Sequence, residues 1–422
     1  MKTENQVQRE KSILPLSKRE QVQDEWLHSR LTHVLKEAMV ESEIRTWLTI
    51  SKEYNEDPLT VTFTPSKHDD TRRIGMCVFH LDGENKLHRY WIGLPIPTID
   101  KYYTCIWDRS TQTEWECLNG LLHQLNPDHI AINRSEHVPV SDGLSASLYD
   151  QLLQNLDSSF HDRFISSEKA SVHWFLKRSK EEMTLYPYLT DLTIEICRTA
   201  LSNEVIVPGV TTCEDVVDWL RQKVLDLGLK TSFYPTIDVQ RKGAPVDRLS
   251  GTVITNGDIV HIDFGISYLG ISTDMQQLGY VLYPEEVDAP TGLKELFQQG
   301  LTFASLALSE FVVGESGNDI FERSIQAAEV QGIQAMLYSH PIGYHCHEAG
   351  PTIGLYDRQE RIPKRGEYQI INDSAYALEF NVKGFVPEWN QETYAYLEHP
   401  IAVANGQAYY LSSMQENFYL IR

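Results

Sequence analysis

Gly257-Asp258-Ile259-Val260-His261-Ile262-Asp263-Phe264-Gly265, continued by Ser272-Thr273-Asp274, is the stretch on which the reading of this chain turns. Ile259–Phe264 has the apolar, β-branched character of a buried strand, and Asp263 interrupts its face. A turn around Ser267–Gly270 folds the chain back as a hairpin. That brings Asp274, on the partner strand, close to Asp263 across the pair. Like charges facing each other across strands repel, so something cationic is expected between them. Asp258, beside Gly257, reads as an ordinary turn residue.

Working outward, three further stretches supply the same kind of side chain. His340-Pro341-Ile342-Gly343-Tyr344-His345-Cys346-His347-Glu348-Ala349-Gly350-Pro351 carries three histidines among glycine and proline, which excludes a helix. Neutral imidazole is a favoured ligand for Zn, Mn, Fe or Co. His340 and His347, seven residues apart, cannot point the same way along a regular strand. One is therefore expected to bind metal and the other to face substrate. His345 reads as a packed or solvent histidine, and Cys346 does not make a cysteine-based zinc site. Ala377-Leu378-Glu379-Phe380-Asn381-Val382 and Tyr396-Leu397-Glu398-His399-Pro400 each place a glutamate inside an apolar strand. A buried carboxylate is costly unless it meets a cation. Two such glutamates beside the paired aspartates favour one shared metal site.

The chain has 422 residues, more than one core usually holds, so two domains are expected. Apolar residues make up 41% and aromatic residues 10%, which excludes a disordered chain. The formal charge of −22 argues against nucleic acid and against an anionic membrane surface as partners. Residues 1–12 are polar and lack the apolar centre of a signal peptide. No stretch approaches the roughly 18 apolar residues of a membrane span. The six cysteines, Cys77, Cys105, Cys117, Cys197, Cys213 and Cys346, form no CxxC pair and read as free thiols in a reducing cytoplasm.

Residues 1 to about 15 read as a loose tail, and Ser17 to about Thr46 as a helix with one apolar stripe. Strand-like runs follow at Leu59–Thr64, Gly75–Leu81 and His88–Leu94, then a helix over Glu114–Leu125 and a short strand over His129–Asn133. Strands alternating with helices point to an α/β domain over residues 1–165. A second domain, 166–422, opens with a long helix through Leu201. Thr212 and Asp215 make a capping box for a helix over Cys213–Leu227. Short strands dominate from Val239 onward, interrupted by helices over Thr291–Val312 and Gly317–Gln331.

The order Asp263, Asp274, His340, Glu379, Glu398 resembles the ligand set of the "pita-bread" metallopeptidase superfamily: methionine aminopeptidases, Xaa-Pro aminopeptidases and prolidases. The spacing of the two aspartates is similar, as is the second histidine seven residues after the first. The run from His340 to Pro351 resembles the family's glycine-rich histidine segment, and Leu397-Glu398-His399 its closing motif. The two-domain length resembles Xaa-Pro peptidases and creatinases. The resemblance implies an α/β N-terminal domain followed by an α+β pita-bread catalytic domain. It implies two divalent ions (Mn, Co or Zn) held by Asp263, Asp274, His340, Glu379 and Glu398, with Asp274 and Glu398 bridging. It further implies an aminopeptidase or dipeptidase of Xaa-Pro type, acting through a hydroxide shared by the two metals. Glu379 would be the general base, and His347 would contact the substrate carbonyl. A peptide or small amide substrate, a cytoplasmic location and a homodimer complete the family expectation.

The chain departs from the family at three places. No histidine precedes Asp263 except His261 within the same strand, leaving Gln240 or Asp238 to stand near the usual position. Tyr396 replaces an arginine, and Phe380 replaces a proline. Two other readings stay open. A creatinase-like hydrolase of a non-peptide C–N bond would work without metal, and a binding protein on the same scaffold would not catalyse.

Overall fold

The computed structural model describes residues 13–68, 70–244 and 247–422. The tail expected over residues 1–15 lies, for residues 1–12, outside these. The chain falls into two compact units, 15–179 and 180–422, with residues 13 and 14 belonging to the latter. The sequence reading divides it between 165 and 166. The helix Glu168–Leu176 belongs to the first unit, where Trp174 packs on Phe63 with ring centroids 4.7 Å apart.

The first unit is built on a six-stranded mixed sheet. Its strands are β1 (Thr46–Lys52), β2 (Ile74–Leu81), β3 (Leu87–Gly93), β4 (Thr104–Cys105), β5 (Ile130–Ile132) and β6 (Phe164–Ser166), in the order β4-β3-β2-β1-β5-β6. The helix Glu114–Leu125 opens on a capping box between Thr113 and Glu116 and buries Leu118 and Leu122 against the sheet. Two expectations fail here. The N-terminal helical run is two helices, Leu16–Thr32 and Val34–Glu41, and it stops short of Thr46. Thr46-Trp47-Leu48-Thr49-Ile50 is instead a fully buried strand, paired on both sides by β2 and β5. Leu59–Thr64 is not a strand either but contains the single helical turn Thr60–Phe63. The cause is Asp57, whose Oδ1 accepts from the backbone N–H groups of Leu59 and Thr60, both at 2.9 Å, and so initiates a turn.

The second unit carries thirteen strands among the described residues. They are β7 (Lys230–Thr231), β8 (Thr236–Gln240), β9 (Leu249–Ser250), β10 (Ile259–Phe264), β11 (Ile266–Tyr268), β12 (Ile271–Ser272), β13 (Met275–Val281), β14 (Gln334–Leu337), β15 (His340–Ile342), β16 (Ser374–Val386), β17 (Gln391–Ala404), β18 (Gln407–Tyr410) and β19 (Tyr419–Ile421). Ten form one sheet with the path β14-β16-β17-β13-β10-β8-β9, and β12-β11-β7 form a small second sheet. The helices Lys180–Ala200 and Cys213–Asp226 share a core with β8 and β10 through Leu189, Val216, Leu220, Ile237 and Ile262. The predicted capping box is present, with the Thr212 N–H donating to Asp215 at 2.8 Å and the Asp215 N–H to Thr212 at 3.1 Å. The helix Thr291–Glu310 lies against β16 and β17, where Phe303 meets Phe380 at 5.2 Å and Gly300 leaves room for Leu397. Because side chains alternate along a strand, Glu379 and Glu398 then point to the opposite face.

The hairpin after Asp263 is present but shorter than the sequence reading drew it. Leu269 (φ 52°) and Gly270 (φ 79°) make its two-residue turn between β11 and β12. Asp274 stands just before β13, so the residue directly opposite Asp263 is Gln276. Gly265 lets the two arms close, since a Cβ there would lie 1.9 Å from the backbone oxygen of Thr273. Gly265→Ala is therefore expected to destabilise the unit by about 3 kcal/mol. Thermal unfolding of the metal-free protein measures this, and a midpoint unchanged within a degree would contradict it.

Candidate metal centre

Four neighbouring strands place one row of polar side chains on the same face. Cross-strand pairing runs Asp263 (β10) to Gln276 (β13), Gln276 to Glu398 (β17), and Glu398 to Glu379 (β16). Asp274, two residues before Gln276, joins the row from the same side by alternation. His340 enters from β15, which pairs with β16. The loop behind it is tied to the hairpin, where the Ser272 N–H donates to the Gly343 carbonyl at 2.7 Å. The Glu379 backbone is fixed in turn by its N–H donating to Ser339 Oγ at 2.9 Å.

All six residues singled out in the sequence come together here. Ligand atoms of Asp263, Asp274 and Glu398 lie within 4.8 Å of one another, as do those of His340, Glu379 and Glu398, and those of Asp274, His340 and His347. His340 Nε2 stands 3.6 Å from Asp274 Oδ2, 3.6 Å from Glu379 Oε2 and 3.9 Å from Glu398 Oε1. Its Nδ1 faces the Pro341 carbonyl at 3.1 Å and so carries the hydrogen. That leaves the Nε2 lone pair aimed at three carboxylates.

His340 Nε2, Asp274 Oδ1 and both oxygens of Glu398 are buried without a hydrogen-bond partner. Buried polar atoms are rarely left so, and all four belong to residues of the grouped donor sets. Burial and the charge of Glu379 push the Asp274 carboxyl up to about 8. Burial pushes Glu379 up to about 7, partly opposed by the Gln276 hydrogen bond. Burial and then neighbouring carboxylates push Asp263 and Glu398 well above the usual range. Burial holds His340 down at about 4, neutral and able to donate its lone pair. Each of these tensions is relieved by a divalent cation, so the donor set fits one.

Around the row lie residues that the sequence reading missed or set aside. Gln276 Nε2 donates to Glu379 Oε1 at 2.6 Å and reaches Asp263 Oδ2 at 3.3 Å. Its carbonyl faces His261 Nε2 at 3.1 Å, and His261 Nδ1 faces Asp238 Oδ2 at 3.2 Å. Both ring nitrogens of His261 meet oxygen acceptors, so both carry hydrogens. Burial alone would lower this imidazole, but the charge and hydrogen bond of Asp238, with the charge of Asp263, together hold the group above its ordinary value. Arg248 pairs with Asp238 at 3.3 Å and lies 5.0 Å over the Tyr396 ring. Strand alternation was the available signal: His261 is two residues before Asp263, and Gln276 two after Asp274. Gln240 plays no part in the row, its amide bracketing the Tyr394 backbone at 2.8 and 3.0 Å. Cys346 donates its thiol hydrogen to Asp274 Oδ2 at 2.9 Å, and His345 pairs with Glu348 at 3.1 Å.

Asp263, Gln276, His340 and Glu379 line a cleft of about 510 Å³, whose walls also include Arg248, Tyr338, Thr352, Tyr356 and Arg365. His347 is exposed on the cleft side with its ring 4.3 Å from that of His340. The neighbouring His340 above all holds His347 down at about 4. No helix among the described residues is long and apolar enough to cross a membrane.

An α/β fold with carboxylates and an imidazole gathered on a cleft floor is the arrangement of a metal-dependent hydrolase. A model of metallopeptidase family M24 matches residues 191–403, just over half of the chain, and the chain belongs to that family. Its catalytic unit has the pita-bread fold. Among solved structures it is similar to an X-Pro aminopeptidase from Thermotoga maritima, with a TM-score of 0.66 and 16% identity over 91% of this chain and 99% of that one. It is also similar to an Xaa-Pro dipeptidase from Bacillus anthracis (0.62, 16%, 94% and 100%). A dipeptidase from Mycobacterium ulcerans is comparable (0.63, 13%, 93% and 98%). At these identities the likeness is one of fold. A comparison with curated proteins returned no match.

Proposed function

We propose that this metallopeptidase removes the N-terminal residue from short peptides with proline in second place, using up to two divalent ions (Mn, Co or Zn). The ions would be held by Asp263, Asp274, His340, Glu379 and Glu398. The observation that carries the reading is the bare His340 Nε2 facing unpartnered carboxylate oxygens at the base of a cleft. Metal held by these residues would supply a water of lowered pKa and polarisation of the scissile carbonyl. Glu379, with one oxygen tied by Gln276 and the other free, accepts the proton of the attacking water. His347, exposed beside His340, donates a hydrogen bond to the oxygen on which charge develops. The cleft volume of about 510 Å³ suits a di- or tripeptide. Arg248 and Arg365 in its walls supply positive charge for a peptide carboxylate. The relatives of this fold named above are X-Pro aminopeptidases and dipeptidases, which supports the same substrate class. That all six cysteines are free supports a reducing, cytoplasmic setting. The creatinase-like alternative is disfavoured because all five donors are present.

The test is a panel of Xaa-Pro dipeptides, Xaa-Pro tripeptides and proline-free controls, assayed with protein stripped of metal and reloaded with Mn, Co or Zn. Release of the N-terminal residue from prolyl substrates, dependent on metal, is expected. Cleavage of neither peptide class by any loaded form would overturn the reading, and cleavage of dipeptides alone would narrow it to a dipeptidase.

A further inference from the structure

Gln276 is the one neutral side chain in a row that otherwise holds Asp263, Glu398 and Glu379. Its place is between strands, with a carboxylate on either side. An amide can serve two carboxylates only when its NH2 faces them and its carbonyl faces away. That orientation is observed, with Nε2 at 2.6 Å from Glu379 and 3.3 Å from Asp263. Flipped, the amide would set its oxygen against the Glu379 carboxylate. What prevents the flip lies behind it. His261 Nε2 meets the carbonyl oxygen at 3.1 Å, His261 Nδ1 is held by Asp238 at 3.2 Å, and Asp238 is held by Arg248 at 3.3 Å. Tyr396 closes the group, its ring 5.4 Å from that of His261 and under the Arg248 guanidinium. His261 and Asp238 are buried, so the chain is shielded from solvent up to Arg248 at the cleft wall. By tying Glu379 Oε1, the amide leaves Oε2 as the oxygen that faces His340 Nε2 at 3.6 Å.

We infer that Gln276 is a positioning residue that orients Glu379 and Asp263 toward a bound ion, and that Arg248, Asp238 and His261 act through it by fixing its amide. The inference rests on reading these carboxylates as metal donors. Outer partners of metal ligands commonly contribute tenfold to hundredfold in affinity, and four residues in series should share one such effect rather than each add its own.

The experiment is calorimetric titration of full-length, chelator-stripped protein with Mn²⁺ in the absence of peptide, with the visible spectrum of the Co²⁺ form as a second readout. Gln276→Leu is expected to weaken Mn²⁺ binding about tenfold or more and to shift the Co²⁺ bands, while the metal-free protein still unfolds in one cooperative transition, at a lower temperature because His261 and Glu379 lose a partner. His261→Leu is expected to weaken binding comparably, and the double variant to be no weaker than Gln276→Leu alone within about twofold. Gln276→Asn, whose shorter amide cannot span the row, should behave like the leucine variant and serves if that one does not fold. Arg248→Ala, at the open end, should give a loss of the same sign and smaller size. Binding by Gln276→Leu or Gln276→Asn within about twofold of the wild type would overturn the inference, as would losses that multiply in the double variant. Wild-type protein that binds no Mn²⁺, Co²⁺ or Zn²⁺ would instead overturn the reading of the site itself. Failure to cleave peptides, with these binding results intact, would touch only the proposed substrate.

Discussion

Asp274→Ala is expected to lose hydrolysis by on the order of 10³-fold or more in kcat/KM, about 4 kcal/mol of transition-state stabilisation. Asp274 belongs to both the aspartate–Glu398 group and the His340–His347 group, so its removal opens two sets of donors at once. The same variant should lose the rise in unfolding temperature that a divalent ion gives the wild type. Binding to the native state at 100 times the dissociation constant is worth about 2.7 kcal/mol. Peptide hydrolysis and thermal unfolding with and without added Mn²⁺ read the two effects separately. A variant that keeps full activity, or one still stabilised by Mn²⁺ as the wild type is, would show that Asp274 is not a donor.

Stripped of metal, the wild type is expected to lose stability as pH rises from 6.5 to 8, by on the order of 2 kcal/mol. The sign follows from the carboxyls. Asp274 is pushed up to about 8 and Glu379 to about 7, while Asp263 and Glu398 are raised as well. In this window the folded chain holds protons that the unfolded chain has released, so raising the pH favours unfolding. Stability gained from these groups is fully present below their unfolded values and is lost through the folded ones. His340, His347 and His399, all held near 4, act in the opposite sense, but only below about 6.5 where an unfolded imidazole takes a proton. A bound cation removes the tension, so the loaded protein should not show the decline. Thermal unfolding of chelated and Mn²⁺-loaded protein at pH 6.5 and 8 measures this. A chelated midpoint that is flat or rises over that range would contradict it, and in Asp274→Ala the slope should be shallower.

Much of the centre was legible because its residues break a pattern. Asp263, Glu379 and Glu398 are charges on apolar strands, and His340 sits among glycine and proline. Those interruptions are visible without knowing which strands pair. What pairs with what is a long-range fact, which is why Gln276 went unnoticed: a glutamine near a strand end breaks no pattern until Asp263 and Glu398 are set on either side of it. His261 lies only two residues before Asp263, which is one full strand repeat and puts both on the same face. In the first unit the errors are local chemistry overridden by context. Leu59–Thr64 has strand-like residues, yet Asp57 turns the backbone before they can extend. The helical pattern runs on to about Thr46 and marks no strand over Trp47–Ile50, yet burial between β2 and β5 makes Thr46–Ile50 the middle of a sheet. The start of the helix at Cys213 is legible because the Thr212–Asp215 capping box is written in four consecutive residues.

The row that crosses β10, β13, β17 and β16 also acts as a ruler. Neighbouring strands are held about 4.8 Å apart by their backbone hydrogen bonds, so the gaps between donor side chains are set by the ladder rather than by side-chain flexibility. Slippage of any one strand by a single residue would turn its donor to the opposite face. An ion that needs donors from several strands can therefore lodge only when every pairing is in register. An ion held by these side chains as proposed would therefore add stability only to the correctly paired sheet, and misregistered chains would go without it.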